Sequence, residues 1–404
     1  MMFASVLAAV GPTTPPADAQ QTGQAYADAA ALGRGINIAY QRPNGRSFKV
    51  RPVAEFNRIL DDVADRGFDH IRLAVNFNGY AKKVNDQWVV GPAFLNGLRK
   101  AVRQADNRDL TVILDMHGRN NARFHARPAA NRTRFVQLWT SVGRFFKAED
   151  NVYYSLMNEP TGPILPSATT DAQRARNLRI TNFYGGAVNR YYTQAVRGLR
   201  GVGADQPVLI SPIFYNNLYE IPRLRMPTIR VGVRDPRVII DIHFYDPLCF
   251  THQGADWLAG TLTGYKASCQ TTGLSWQRAF AEDPFAQDDQ AAGKEAYMLK
   301  AFDMAAKFAD AKNAPLYVGE FGTNDPSYRG PRFRAPRAGR LAWTQAVVDN
   351  TINHKQAGSA ISWAYWEYEA SFGLCNKKRW DTAFLNILVP TRGGQQPGPC
   401  RAND

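Results

Sequence analysis

Val152-Tyr153-Tyr154-Ser155-Leu156-Met157-Asn158-Glu159-Pro160 begins as an almost wholly apolar run and stops abruptly at Asn-Glu-Pro. A strand covered on both faces must be apolar along its whole length, because neither side meets water. The run reads as such a strand, with Asn158 and Glu159 where the chain leaves the sheet. Proline has no backbone N–H and ends the ladder there.

Seven more runs have this character: 35–38, 70–75, 110–114, 207–210, 238–242, 315–319 and 359–364. Between them lie longer segments of helical periodicity, such as Val53 to Arg66, Pro92 to Asp106 and Tyr297 to Ala311. Eight buried strands alternating with helices predict a single α/β domain, a (β/α)8 TIM barrel, over 33–404. Long connections are expected after strands 4, 6 and 7, at about 160–182, 246–296 and 321–342. In this architecture the loops after the strands build the active face.

Glu159 follows the fourth strand and Glu320 follows the seventh. Strand ends of a barrel converge on one axis, so two glutamates distant in sequence face each other. A carboxylate at a buried strand end is costly to desolvate unless it is paired or used. Arg72 lies inside the apolar run 70–75 and needs a carboxylate partner for the same reason. Asp115 and His117 share a strand face by period-two spacing, as do Asp241 and His243. Two Asp-x-His pairs leave a metal-dependent hydrolase open as a rival reading.

In combination these segments resemble glycoside hydrolase family 5, the cellulase family of retaining (β/α)8 glycosidases. The resemblance rests on Leu156-Met157-Asn158-Glu159-Pro160, His243-Phe244-Tyr245, Val318-Gly319-Glu320-Phe321-Gly322 and Tyr365-Trp366-Glu367. His70-Ile71-Arg72 and Asp115-Met116-His117-Gly118 extend it, and it spans roughly 33 to 385. It implies that Glu159 is the general acid/base and Glu320 the nucleophile. It also implies that Asn158 contacts the sugar 2-hydroxyl, Arg72 keeps Glu320 ionised and Trp366 forms the sugar platform. Tyr245 would donate to Glu320, and His117 and His243 would bind substrate hydroxyls or hold the acid/base residue. No cofactor and no metal are implied. The partner is a polysaccharide or oligosaccharide, with endo-acting β-1,4-glucan hydrolysis as the leading expectation. Mannan, exo-acting glucosidase and acidic exopolysaccharide activities are alternatives, and a non-catalytic glycan-binding barrel is a further one. Trp363 reads as core, whereas Trp257, Tyr265 and Trp276 are candidates for outer sugar contacts or for loop packing.

The formal net charge of the 404-residue chain is +14. No nucleic-acid-binding module accompanies that charge, so no nucleic-acid partner is expected. Arginines cluster at 119, 123, 127, 132 and 134, and again at 329, 332, 334, 337 and 340. Arginine forks bind carboxylates, which is the basis of the acidic-glycan alternative. Residues 1–19 read as an export signal lacking its basic start, with Ala17-Asp18-Ala19 as cleavage site, and 20–32 as a flexible lead-in. No run is long enough to span a membrane. A secreted or periplasmic monomer is expected, its C-terminal tail pinned by a disulfide. The cysteines, Cys249, Cys269, Cys375 and Cys400, allow three pairings, of which the local one, 249 with 269 and 375 with 400, is preferred.

Overall fold

The computed structural model describes residues 17–44, 47–118, 128–161, 170–255, 258, 273–282, 293–325 and 334–400. Its centre is a closed barrel of eight parallel strands. These are β1 (Arg34–Ala39), β2 (His70–Val75), β3 (Thr111–Met116), β4 (Val152–Ser155), β5 (Val208–Ile210), β6 (Val238–Phe244), β7 (Leu316–Phe321) and β8 (Ser362–Tyr365). Each pairs with the next in sequence, and β8 closes onto β1. All eight expected runs are strands, and every residue of β2, β6 and β7 is buried. The (β/α)8 expectation holds.

The surrounding helices bury one apolar stripe each. In α2 (Val53–Asp65) the buried face includes Phe56, Ile59, Leu60 and Val63, the three- and four-residue spacing of an amphipathic helix. In α3 (Pro92–Asp106), Pro92 opens the helix and Phe94, Leu95, Leu98, Ala101, Val102 and Ala105 face the sheet.

The structure corrects the reading of 20–32 as a flexible lead-in. Ala17–Leu32 is a helix, α1, whose last turns cap the N-terminal mouth of the barrel. Ala29 and Leu32 pack on Ile113, Tyr153, Leu209, Ile239, Tyr317 and Ala364, the residues that close the barrel floor. Polar bonds fix it in place. Ser362 Oγ donates to the Ala29 carbonyl at 2.7 Å, His70 Nδ1 lies 2.6 Å from the Leu32 carbonyl, and Arg237 grips Asp28 with two nitrogens at 2.8 Å. The segment lacks the bulky apolar stripe that signals a packed helix. Its buried face is Ala25, Ala29 and Leu32, small enough for close contact.

The connection after β4 is also shorter than expected. The next helix starts at Asp171 and runs to Gly201, opened by a capping box between Thr170 and Gln173. The segment read as loop to 182 is therefore partly helical, with Asp171 to Ile180 almost wholly exposed.

Cys375 and Cys400 form a disulfide with a Cα–Cα distance of 5.8 Å. Cys249 is disulfide-bonded. Its expected partner, Cys269, lies outside the described residues, as do Trp257, Tyr265 and residues 1–16 of the expected export signal 1–19. Trp276 is 4% exposed, with Lys294 over its ring at 4.4 Å. It is packed within the connection after β6. Trp363 is core, edge-on to Phe321 at 5.4 Å.

Candidate active site

Glu320 is placed by an irregularity in β7. The β6–β7 register passes from Ile242 opposite Val318 directly to His243 opposite Glu320, skipping Gly319. Such a shift re-aims the side chains beyond it. Gly319 is required by close approach: a Cβ there would lie 2.1 Å from Asp241 Oδ1. The result brings His243, at the end of β6, beside the nucleophile candidate.

Glu320 is 4% exposed and receives two charged or polar donors. Arg72 Nη1 donates to Oε1 at 2.8 Å and the Tyr245 hydroxyl to Oε2 at 3.0 Å. Arg72 is fully buried and spends its fork on the whole site. The same Nη1 donates to Asn37 Oδ1 at 2.9 Å, and Nη2 donates to Asn158 Oδ1 at 2.8 Å. Its Nη2 also lies 3.1 Å from Asp115 Oδ1 and 3.8 Å from Asp241 Oδ2. Burial disfavours the guanidinium charge, but Asp115, Glu320 and Asp241 together more than offset it, so Arg72 stays charged. Asn37 acts as a bracket: its Nδ2 donates to the Gly319 carbonyl at 2.9 Å, which ties β1 to β7 beneath the site.

Glu159 faces this pair. One of its carboxylate oxygens, one of Glu320 and a ring nitrogen of His243 all lie within 4.8 Å of one another. Burial, the largest influence, pushes the Glu159 carboxyl above its ordinary pKa, with His117 and Arg72 opposing. His243 Nδ1 is 3.1 Å from Glu159 Oε1, and its Nε2 is 3.5 Å from Arg72 Nη2. Arg72 can only donate, so Nε2 accepts and the ring proton sits on Nδ1, directed at Glu159. Burial drives the His243 pKa down to about 3, so the ring is neutral.

The opposite wall is His117 and Trp366, stacked with centroids 5.5 Å apart and planes 10° from parallel. His117 Nδ1 is 2.9 Å from Asp115 Oδ2. Burial opposes its charge, but this bond and the Asp115 charge outweigh it and raise its pKa. Burial likewise opposes ionisation of Asp115, yet Arg72 and His117 hold its pKa below the ordinary value. The two Asp-x-His pairs therefore turn their carboxylates toward Arg72, the cation already between them. Every sequence-predicted site residue, Arg72, His117, Asn158, Glu159, His243, Tyr245, Glu320 and Trp366, joins this one network or its wall.

Four more residues belong to the site. Asn37 was visible as a polar residue inside an apolar strand. Asp241 was noticed only as a metal-ligand candidate. Glu367, next to Trp366, has its carboxyl pushed well up, first by burial and then by Glu369 and Glu320. Asn216, in the connection after β5, had no sequence signal.

Asp241 supplies the charge balance. Burial, with Asp115 and Glu320 adding to it, raises its pKa from 3.8 to about 8. The folded state therefore holds a proton that the unfolded chain has released. The stability from that proton is complete below about pH 4 and is lost as pH rises through about 8. Asp241→Asn, neutral at every pH, should hold its melting temperature where the parent's falls. Thermal melts from pH 4 to 9 should show the gap between the two proteins widening up to about pH 8 and then levelling. A pH-independent offset would show that Asp241 does not carry the proton.

Two carboxylates face each other across the C-terminal mouth of a (β/α)8 barrel, one braced by arginine and tyrosine, the other half-buried with its pKa raised. Those features define the class of glycoside hydrolases that work with a carboxyl pair. Residues 37–371 match the model of cellulase (glycosyl hydrolase family 5), and the chain belongs to that family, a family of retaining O-glycosyl hydrolases.

Among its relatives, cellodextrinase A of Ruminococcus flavefaciens is 24% identical over 66% of this chain and 68% of its own length. Endoglucanase C of Acetivibrio thermocellus is 23% identical over 82% of this chain and 89% of its own. Endoglucanase H of the same species is 21% identical over 93% of this chain, which spans only 35% of that longer protein. Among solved structures, endoglucanase Cel5A from Thermotoga maritima superposes with a TM-score of 0.69 at 22% identity, covering 91% of this chain and 100% of that one. The cellulose synthase subunit Z of Clostridioides difficile gives 0.67 at 23% identity, covering 89% of this chain and 99% of that one.

Proposed function

We propose that this chain is an endo-β-1,4-glucanase that cleaves by double displacement, with Glu320 as nucleophile and Glu159 as acid/base. The observation that carries the mechanism is the approach of the two carboxyl groups to within 4.8 Å. Retaining glycosidases hold theirs about 5–5.5 Å apart, whereas inverting ones need about 6.5–9.5 Å to admit a water. In the first step an oxygen of Glu320 attacks the anomeric carbon. The glycosidic C–O bond breaks as Glu159 gives its proton to the leaving oxygen. In the second step water attacks the anomeric carbon, Glu159 takes a proton from it, and the bond to Glu320 breaks. Asn158, its carbonyl oxygen committed to Arg72, is oriented to meet the sugar 2-hydroxyl.

The choice of β-1,4-glucan rests on the relatives, whose names are endoglucanase and cellodextrinase. One similar structure, Thermotoga maritima Cel5A, is described in complex with mannotriose, which keeps mannan as the second reading. Four of the ten clustered arginines, Arg134, Arg334, Arg337 and Arg340, already have partners within the chain. Arg337 binds Asp381 bidentately, and Arg340 and Arg334 both reach Asp325. Arg134 lies over the Trp88 ring at 3.9 Å. Arg119, Arg123, Arg127, Arg329 and Arg332 lie outside the described residues. Export to an oxidising compartment is part of the proposal, supported by the Cys375–Cys400 disulfide.

Digestion of a panel of β-glucans, mannan and acidic exopolysaccharides tests the substrate. Short cello-oligosaccharides released from soluble β-1,4-glucan, with the β-anomer formed first by NMR, are expected. Release of monosaccharide alone would replace endo with exo action, and turnover confined to mannan or an acidic polymer would overturn the glucan assignment.

A further inference from the structure

We propose that Asn216 positions Glu159 for proton transfer, and that the left-handed turn after β5 exists to deliver it. The inference rests on Glu159 being the acid/base.

Phe214, Tyr215 and Asn216 have φ of 58°, 65° and 55°, three successive non-glycine residues in the left-handed region. That region is disfavoured for residues bearing a side chain, so the turn persists only where its surroundings require it. What it delivers is the Asn216 side chain, which is wholly buried. Asn216 Oδ1 accepts the Glu159 backbone N–H at 3.0 Å. Its Nδ2 donates to Ser211 Oγ at 2.9 Å and to the Asp241 carbonyl at 3.2 Å. One amide thus ties the segments that leave β4 and β5 to the middle of β6.

Glu159 is the residue that needs such a clamp. Its own φ is 46°, a left-handed conformation that few side-chain-bearing residues adopt. Relaxation of that backbone would swing the Cα–Cβ bond and carry the carboxyl away from the leaving oxygen. An error of about 1 Å in placing a catalytic group costs on the order of 10²-fold in rate. The Tyr215 N–H, 3.4 Å from the Pro160 carbonyl, adds a second, weaker link between the turn and the same segment. The acid/base is therefore set from two directions: His243 at its carboxyl and Asn216 at its backbone.

The test compares leaving groups. A proton donor matters for a poor leaving group and little for one that departs as a stable anion. Asn216→Ala, Ser211→Ala and Glu159→Ala are assayed on paired aryl β-glycosides of the sugar the parent cleaves, one releasing phenolate and one 2,4-dinitrophenolate. Asn216→Ala should lose about 10–100-fold in kcat/KM on the phenyl glycoside and less than about 3-fold on the dinitrophenyl one. Ser211→Ala, which frees one end of the clamp, should show a smaller split in the same direction and serves if Asn216→Ala does not fold. Each ratio is taken on one preparation, so an unfolded fraction cancels. Equal losses on both glycosides, with Glu159→Ala still discriminating between them, would overturn the role of Asn216 alone. Glu159→Ala without discrimination would overturn the acid/base reading on which it rests.

Discussion

Glu320→Ala is expected to lower turnover of glucan by at least about 10⁴-fold, the scale on which loss of a nucleophile acts in covalent catalysis. The isolated fall would not by itself separate nucleophile from structural ligand, since Glu320 also balances Arg72 at 2.8 Å. Azide separates them. With a dinitrophenyl glycoside, the space left by Glu320 admits azide from the face opposite the leaving group, so Glu320→Ala should give an α-glycosyl azide. Glu159→Ala keeps Glu320 and still forms the glycosyl-enzyme. Azide, which needs no general base, then attacks that intermediate and gives the β-glycosyl azide. NMR of the two products assigns the roles independently of rate. The same anomer from both variants would end the proposed division of labour. In the parent enzyme, activity should decline on the alkaline side as Glu159 loses its proton, because burial places its pKa above the ordinary carboxyl value.

Arg72→Met should be the most damaging substitution for stability. It removes the one guanidinium shared by Glu320, Asp115, Asp241, Asn37 and Asn158, all buried at the barrel mouth. Removing one partner of a buried ion pair costs about 3–5 kcal/mol, because the remaining charge stays uncompensated. Turnover should fall by at least about 10²–10³-fold, since Asn158, Tyr245 and the nucleophile lose their common reference point. Arg72→Lys should recover part of the stability but little of the activity. A single ammonium can neutralise a carboxylate, yet it cannot hold Asn37, Glu320 and Asn158 with the geometry of a fork. Thermal denaturation and kcat measured on both variants decide the matter, and parent-level turnover in Arg72→Lys would refute the shared-fork account.

The chain's own order of residues determined the barrel and its two glutamates. Buried parallel strands must be apolar throughout, and eight such runs are legible without coordinates. Glu159 and Glu320 stood out because a carboxylate at the end of a buried run is expensive anywhere else. Arg72 was legible for the same reason. These inferences depend on single-residue costs, and a single residue's cost is local.

Tertiary structure decided whatever depends on a pair. The skipped residue at Gly319 sets His243 against Glu320, and no spacing in β6 or β7 announces that register. The helix at the barrel floor buries a face of small residues, which carries little hydropathy signal until Tyr153 and Tyr317 are seen beneath it. Arg337 and Arg340 looked available for an anionic ligand until Asp381 and Asp325 were found beside them. Asp241 holds a proton because burial, and after it Asp115 and Glu320 around the same arginine, raises its pKa, a balance drawn from several strands. Asn216 has meaning only where the chain leaving β4 and β5 lies against β6. Burial preferences are written residue by residue along the chain. Register, charge balance and the strain of a turn are properties of contacts between distant segments, and they come into existence only when the barrel closes.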